Sequence, residues 1–181
     1  MRNVFSVIAT PLLVLAVFAQ SRNCLRVMPI DELARNSILI ARVKVQKAYK
    51  ANYRGLYNQL AILRPVDVID GDFTLKELNV LARSNVRCAE DNYIEKQEML
   101  VFLMSEDSLF RTQNFQYGQF LIEGDIVKGW RDKANKPVDK LYAEVRSEIE
   151  AYINAAHHPP SEAPSPPKPT TPPELGPLAR E

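Results

Sequence analysis

Histidine is almost missing from this sequence. Only His157 and His158 occur, side by side near the C-terminal end. Serine or cysteine hydrolases need an imidazole held on a rigid scaffold, and the body of this chain has none. No His-Glu-x-x-His or Cys-x-x-Cys pattern occurs, which removes the usual zinc sites. There are only 6 glycines and no glycine-rich phosphate loop among them. We therefore expect no catalytic residues, no cofactor and no metal. His157 and His158 read as exposed residues at a helix end.

Long apolar runs are also scarce, and the exception is at the start. Met1-Arg2-Asn3 is a short basic opening. Val4 to Phe18 is almost wholly apolar and uncharged, and Val17-Phe18-Ala19 suits a signal peptidase. We read residues 1–19 as a secretory signal peptide cleaved after Ala19. The run falls short of the roughly 20 residues a spanning helix needs, and Pro11 interrupts it. No later segment could span a membrane, so no span is expected after cleavage. Ser21-Arg22-Asn23-Cys24 is not a lipobox, because Arg22 and Asn23 stand at its small and apolar positions.

Excess charge is lacking too. Removing residues 1–19 takes away Arg2 and no acid, leaving 22 basic against 22 acidic residues. Such a protein has no general field to steer it to nucleic acid or anionic lipid. We expect no nucleic-acid partner. The length suits one domain with a real core.

The chain has 2 cysteines, Cys24 and Cys88. In the oxidising compartment that export implies, they are expected to pair. The bridge would close a long loop and restrict the unfolded chain by about 4 kcal/mol. A reactive thiol is the alternative. It needs a base or cation; Arg87 adjoins Cys88, but no histidine lies near in sequence.

Three segments follow: signal 1–19, folded domain 20–156 and tail 157–181. Pro159 to Pro177 holds nine prolines, so the tail is expected to be disordered or extended. We read it as a spacer rather than a proline-motif ligand, although Pro164 to Pro169 carries such a pattern. Before it, Val138, Leu141, Tyr142, Val145, Ile149, Tyr152 and Ile153 recur at helical steps. They predict an amphipathic helix over 138–153, with Pro137 in its first turn. Its outer face mixes both charge signs, so the stripe is expected to dock on the domain's own sheet.

The preceding pattern is that of strands. Ile38 to Tyr49 and Tyr57 to Ile69 form two long ones, with Pro65 marking an edge or bulge. Asp70-Gly71-Asp72 turns the chain. Leu75 to Ala82 is read as a strand, although Thr74-Leu75-Lys76-Glu77 also fits a helix capping box. Met99 to Met104 is an uninterrupted apolar run, expected to be buried on both faces. Gln116 to Ile122 and Ile126 to Trp130 flank Gly124-Asp125, a hairpin signal. Ile30 to Arg35 predicts a short helix, and Trp130 is expected in the core.

Carboxylates are the remaining chemistry. Asp67, Asp70 and Asp72 surround one turn, and Glu123 and Asp125 another. Their spacing does not match a calcium loop, and acidic residues beside glycine are ordinary turn formers. Aromatics are better placed. Tyr49, Tyr53 and Tyr57 flank Arg54-Gly55; Phe110, Phe115, Tyr117 and Phe120 surround a later loop. Loop aromatics give contact area at little entropic cost. Tyr49, Tyr53, Tyr57, Phe115 and Tyr117 are the candidate binding residues, with capping of a small barrel's ends as the alternative role.

The order of Cys24, short helix, two long strands ending in Val66 to Asp72, Cys88, then Met99 to Met104 resembles a known family. These are the secreted OB-fold proteins of the tissue-inhibitor-of-metalloproteinases and netrin-module type, especially their bacterial relatives. The resemblance covers roughly Cys24 to Trp130. It implies a similar barrel, with the early cysteine tied to the later one. Inhibitors of that family begin with Cys-x-Cys, whose free amine chelates the target's zinc. Here Gln20 to Asn23 precede Cys24, and Arg26 stands where the second cysteine would be, so that mechanism is unsupported.

The expected fold is α+β: an antiparallel OB-like barrel of about five or six strands, with a C-terminal helix outside and a disordered tail. An immunoglobulin-like sandwich is the alternative. The expected function is a secreted or periplasmic non-enzymatic binding module whose loops contact a protein or glycan. An inhibitor of an extracytoplasmic hydrolase and a carboxylate-dependent enzyme are the alternatives.

Overall fold

β-branched and apolar residues alternating with charged ones build the first long strand, β1 (Leu39–Tyr53). Leu39, Ala41, Val43 and Val45 point to one side and are buried there; Lys44 and Gln46 stay in water. A tight turn with positive φ at Arg54 and Gly55 returns the chain as β2 (Tyr57–Asp70). Asn52 Oδ1 braces that turn by accepting from Gly55 N at 3.0 Å. The computed structural model describes residues 25–132 and 134–157. The expected signal peptide, Cys24 and the tail beyond His157 lie outside these.

Pro65 stands at a break in register. Arg42 pairs with Asp67 and Val43 with Pro65, so Val66 is the extra residue of a bulge. The β2–β3 pairing has already ended at Leu63 and Leu78. A proline is tolerated there because no ladder on that side needs its missing N–H. Gly71 then turns the chain at φ +104, where an added Cβ would sit 2.6 Å from the Ile38 carbonyl oxygen. Only glycine fits so close an approach.

The middle strands are β3 (Leu78–Ser84), β4 (Glu98–Glu106) and β5 (Leu109–Thr112). β3 begins three residues later than the expected Leu75. β4 pairs antiparallel with β1, Leu39 facing Leu103 and Lys44 facing Glu98. β3 and β5 pair in parallel through Val80 and Phe110. The pairings β1-β2-β3-β5-β4 and β4–β1 thus close a ring of 5 strands. An all-antiparallel set was expected; the β3–β5 pair departs from it.

Beyond the ring, β4 shares one edge between two partners: β5 over its second half and β6 (Gln119–Glu123) over its first. A 3₁₀ turn at Phe115–Gly118 makes the switch, where the expected strand from Gln116 would have begun. The approach is close: a Cβ on Gly118 would lie 1.8 Å from Gln113 O. β6 and β7 (Ile126–Arg131) form the expected hairpin across Gly124-Asp125. β8 (Pro137–Leu141) adds a last strand, making 8 in one sheet rather than two packed sheets.

β8 corrects the helix expectation. Pro137 to Leu141 pair with β7, because β7 otherwise presents an open edge. Pro137 is the first strand residue, where it is tolerated. Val138 and Leu141 are 37% and 49% exposed and lie outside the buried stripe. The helix α2 starts at Tyr142 and runs to His157. Tyr142, Val145 and Ile149 bury its inner face, with Tyr152 and Ile153 packed beside them. A short helix, α1 (Ile30–Asn36), lies against it.

The apolar run of β4 is buried on both faces. Met99, Val101 and Leu103 fill the core inside the ring with Leu39, Ala41, Val43, Leu63 and Val80. Leu100 and Phe102 face a second core under both helices, around Trp130. Phe102 stacks on Trp130 at 6.4 Å and Phe120 tilts against it at 5.1 Å. Trp130 is buried as expected, and its indole N–H donates to Glu148 Oε2 at 2.9 Å.

Candidate binding site

The inward side of β2 carries one anomaly. Tyr57, Gln59, Ala61 and Leu63 share the buried phase, and Gln59 is a polar amide only 8% exposed. It finds partners in the segment ahead of β4. Its Nε2 donates to Asn92 Oδ1 at 3.1 Å and to Tyr93 O at 3.0 Å; its Oε1 accepts from Tyr93 N at 2.9 Å. One side chain thus pins residues 92 and 93 to the ring, and a satisfied buried amide fixes geometry firmly. Tyr93 is buried beside it, its phenol sharing a 2.7 Å hydrogen bond with Thr112.

Asn92 Oδ1 takes a second donor, Arg83 Nε at 2.9 Å. Arg83 has φ 51, a left-handed conformation that costs a non-glycine residue on the order of 1 kcal/mol. Asp91 holds it there: Arg83 N donates to Asp91 O at 2.9 Å, and Ser84 N to Asp91 Oδ1 at 3.3 Å. Asp91 is 1% exposed, and burial raises its carboxyl pKa despite the nearby Arg111 charge.

Gln59, Arg83, Asn92 and Tyr93 form one side of a cavity of about 350 Å³. Tyr49, Lys50, Asn58 and Glu95 complete its polar lining. Tyr49 is 44% exposed. Glu95 Oε1 accepts from Ala48 N at 3.2 Å, and Asn58 Nδ2 donates to Asn85. The arrangement offers fixed hydrogen-bond groups at the mouth of the ring.

The structure separates the five candidate aromatics. Tyr49 borders the cavity through its place on β1, but it pairs with Leu60, on the sheet face opposite to Gln59 and Lys50. Tyr53 lies at the hairpin end, hydrogen-bonded to Asp107, with the Arg54 guanidinium 5.3 Å from its ring centre. The Asp107 bond raises the Tyr53 pKa. Tyr57 is 7% exposed and has little area to offer a ligand. Phe115 and Tyr117 belong to the 3₁₀ turn, where Arg131 covers Tyr117 at 5.1 Å. Phe110 and Phe120 pack on the inner and outer cores.

Cys88 follows β3 at φ 66, and its carbonyl accepts from Gln116 Nε2 at 2.9 Å. Among the described residues no cysteine is free. The carboxylates are spent separately. Asp67 takes Tyr142 Oη at 2.8 Å and pairs with Arg146; Asp125 takes Arg42 at 3.1 Å; Asp72 caps Thr74. Among the described residues no helix is long and apolar enough to cross a membrane.

Sequence reasoning missed Gln59, Arg83 and Asn92. A glutamine in the inward phase of an apolar strand was the available signal. Arg83 and Asn92 had none, since their meeting depends on the path of residues 85–97. Comparison of the chain with protein-family models, curated proteins and solved structures found no match.

Proposed function

We propose that this chain is an exported, non-enzymatic binding module that holds a glycan in the cavity beside β1, β2 and β3. The observation that carries this is the cavity itself, with Gln59, Asn92 and Arg83 fixed by mutual hydrogen bonds and Lys50 on the same face as Gln59. A cycle of 5 strands containing one parallel pair supports an OB-like barrel. In that architecture the sheet face and neighbouring loops take oligosaccharides and oligonucleotides. The signal-like residues 1–19 support export, and the absence of a free cysteine among the described residues supports a Cys24–Cys88 bridge.

A protein partner is the second reading. Leu56 and Val86 are both exposed at the hairpin end, where Asn85 N donates to Leu56 O at 2.7 Å. The test is a glycan array probed with the exported chain, its Asn92→Asp variant, which keeps the oxygen used by Gln59 and Arg83, and a Leu56→Ser/Val86→Ser double variant. We expect saccharide binding that falls about tenfold on loss of the Asn92 amide donor and persists in the double variant. No glycan binding by the folded wild type, with a captured protein lost from the double variant, overturns the glycan reading.

A further inference from the structure

The hydrogen-bond inventory of the cavity is lopsided, and this deepens the glycan reading on which it rests. Asn92 Oδ1 is used twice, by Gln59 and Arg83, while its Nδ2 has no partner among the described residues. Arg83 spends only Nε; its two terminal nitrogens meet no acceptor among the described residues. Lys50 has no ion pair among them. Glu95 is the one acid of the lining, and one of its oxygens is taken by the Ala48 amide. The side chains thus offer two cations and an amide against a single partly used carboxylate.

Position adds to composition. The Arg83 guanidinium is aimed, because Nε is tied to Asn92 and Asn92 is tied to the buried Gln59. The backbone at Arg83 is left-handed and pinned by buried Asp91. Strain of this kind persists where surrounding structure over-determines it, and it gathers at ligand sites. A guanidinium with its Nη pair free matches the two oxygens of a carboxylate or sulfate.

We infer that the cavity takes an acidic saccharide, its carboxylate or sulfate ester held by Arg83 and Lys50 while the Asn92 amide donates to a sugar hydroxyl. Arg83 supplies the geometry and Lys50 the field. The anion has two chemical sources, a uronic acid or a sulfate ester, with the same oxygen pattern.

The test measures binding of the full exported chain to uronate-bearing sulfated oligosaccharides, to their desulfated and carboxyl-reduced forms, to neutral oligosaccharides and to a single-stranded oligonucleotide. The expected result is preference for the acidic sugars, a fall of about tenfold for Arg83→Gln, and weakening with salt. Loss on desulfation assigns the anion as sulfate, and loss on carboxyl reduction assigns it as uronate; either supports the inference. Should Arg83→Gln lower the melting temperature, Lys50→Gln, at an exposed strand position, serves as the readout. Neutral sugars bound as tightly, with Asn92→Asp weakening them and Arg83→Gln not, overturns this inference and leaves the glycan reading standing. No binding to any sugar overturns both. Tighter binding of the oligonucleotide overturns both in favour of a nucleic-acid site.

Discussion

Gln59, Asn92 and Asp91 are polar residues doing what apolar ones do elsewhere in the ring: fixing one chain segment against another. Asp91 has a measurable consequence. Burial raises its pKa above the ordinary 3.8, with Ser84 N, Arg111, Tyr57 and Tyr93 as its neighbours. Below 3.8 the group is protonated in both folded and unfolded chains. As pH rises, the unfolded chain ionises first, so stability falls until the folded group has ionised as well. Asp91→Asn keeps an acceptor for Ser84 and cannot ionise. Chemical denaturation across that window should show the variant gaining on wild type as pH rises, then levelling. A pH-independent difference contradicts the assignment. None of this was legible in the sequence. Asp91 sits in a run of polar residues from Glu90 to Asn92, where solvent exposure is the ordinary expectation; only the fold encloses it.

At the scale of elements, α2 is joined to the ring by apolar contacts and a polar clasp. Val145 and Ile149 are fully buried against Trp130 and Leu100. Tyr142 and Arg146 both reach Asp67 on β2, and the Arg42 guanidinium lies 4.8 Å from the centre of the Tyr142 ring. Ile149→Ala should cost about 2–5 kcal/mol, as large-to-small core changes do. Equilibrium urea unfolding measures it, and a loss below about 1 kcal/mol would place the helix off the core. The sequence showed this helix by its period and misplaced its start. Val138 and Leu141 fall in phase with the stripe, and periodicity alone cannot see that β7 needs an edge partner. Met99 to Met104 was legible for the opposite reason. A strand between two cores must be apolar at every position, and that pattern needs no knowledge of partners.

Across the whole molecule, the two long strands, the hairpin at Gly124-Asp125 and the central strand were legible from local pattern. The ring was not: its closure rests on β1 meeting β4 and β3 meeting β5, pairings between distant segments. The candidate site inherits that limit. Tyr49 could be singled out as a loop-proximal aromatic, while its cavity partners come from β2, β3 and the segment before β4. Export is the premise beneath the proposed function: an extracytoplasmic setting favours pairing of Cys24 with Cys88 and would supply surface glycans as ligands. Intact-mass analysis of the natural protein, before and after thiol alkylation, tests it most directly. The account predicts a chain beginning at Gln20, two hydrogens lighter than its reduced form and unreactive to alkylation until reduced. A mass retaining residues 1–19, with both cysteines alkylated in the native protein, contradicts it.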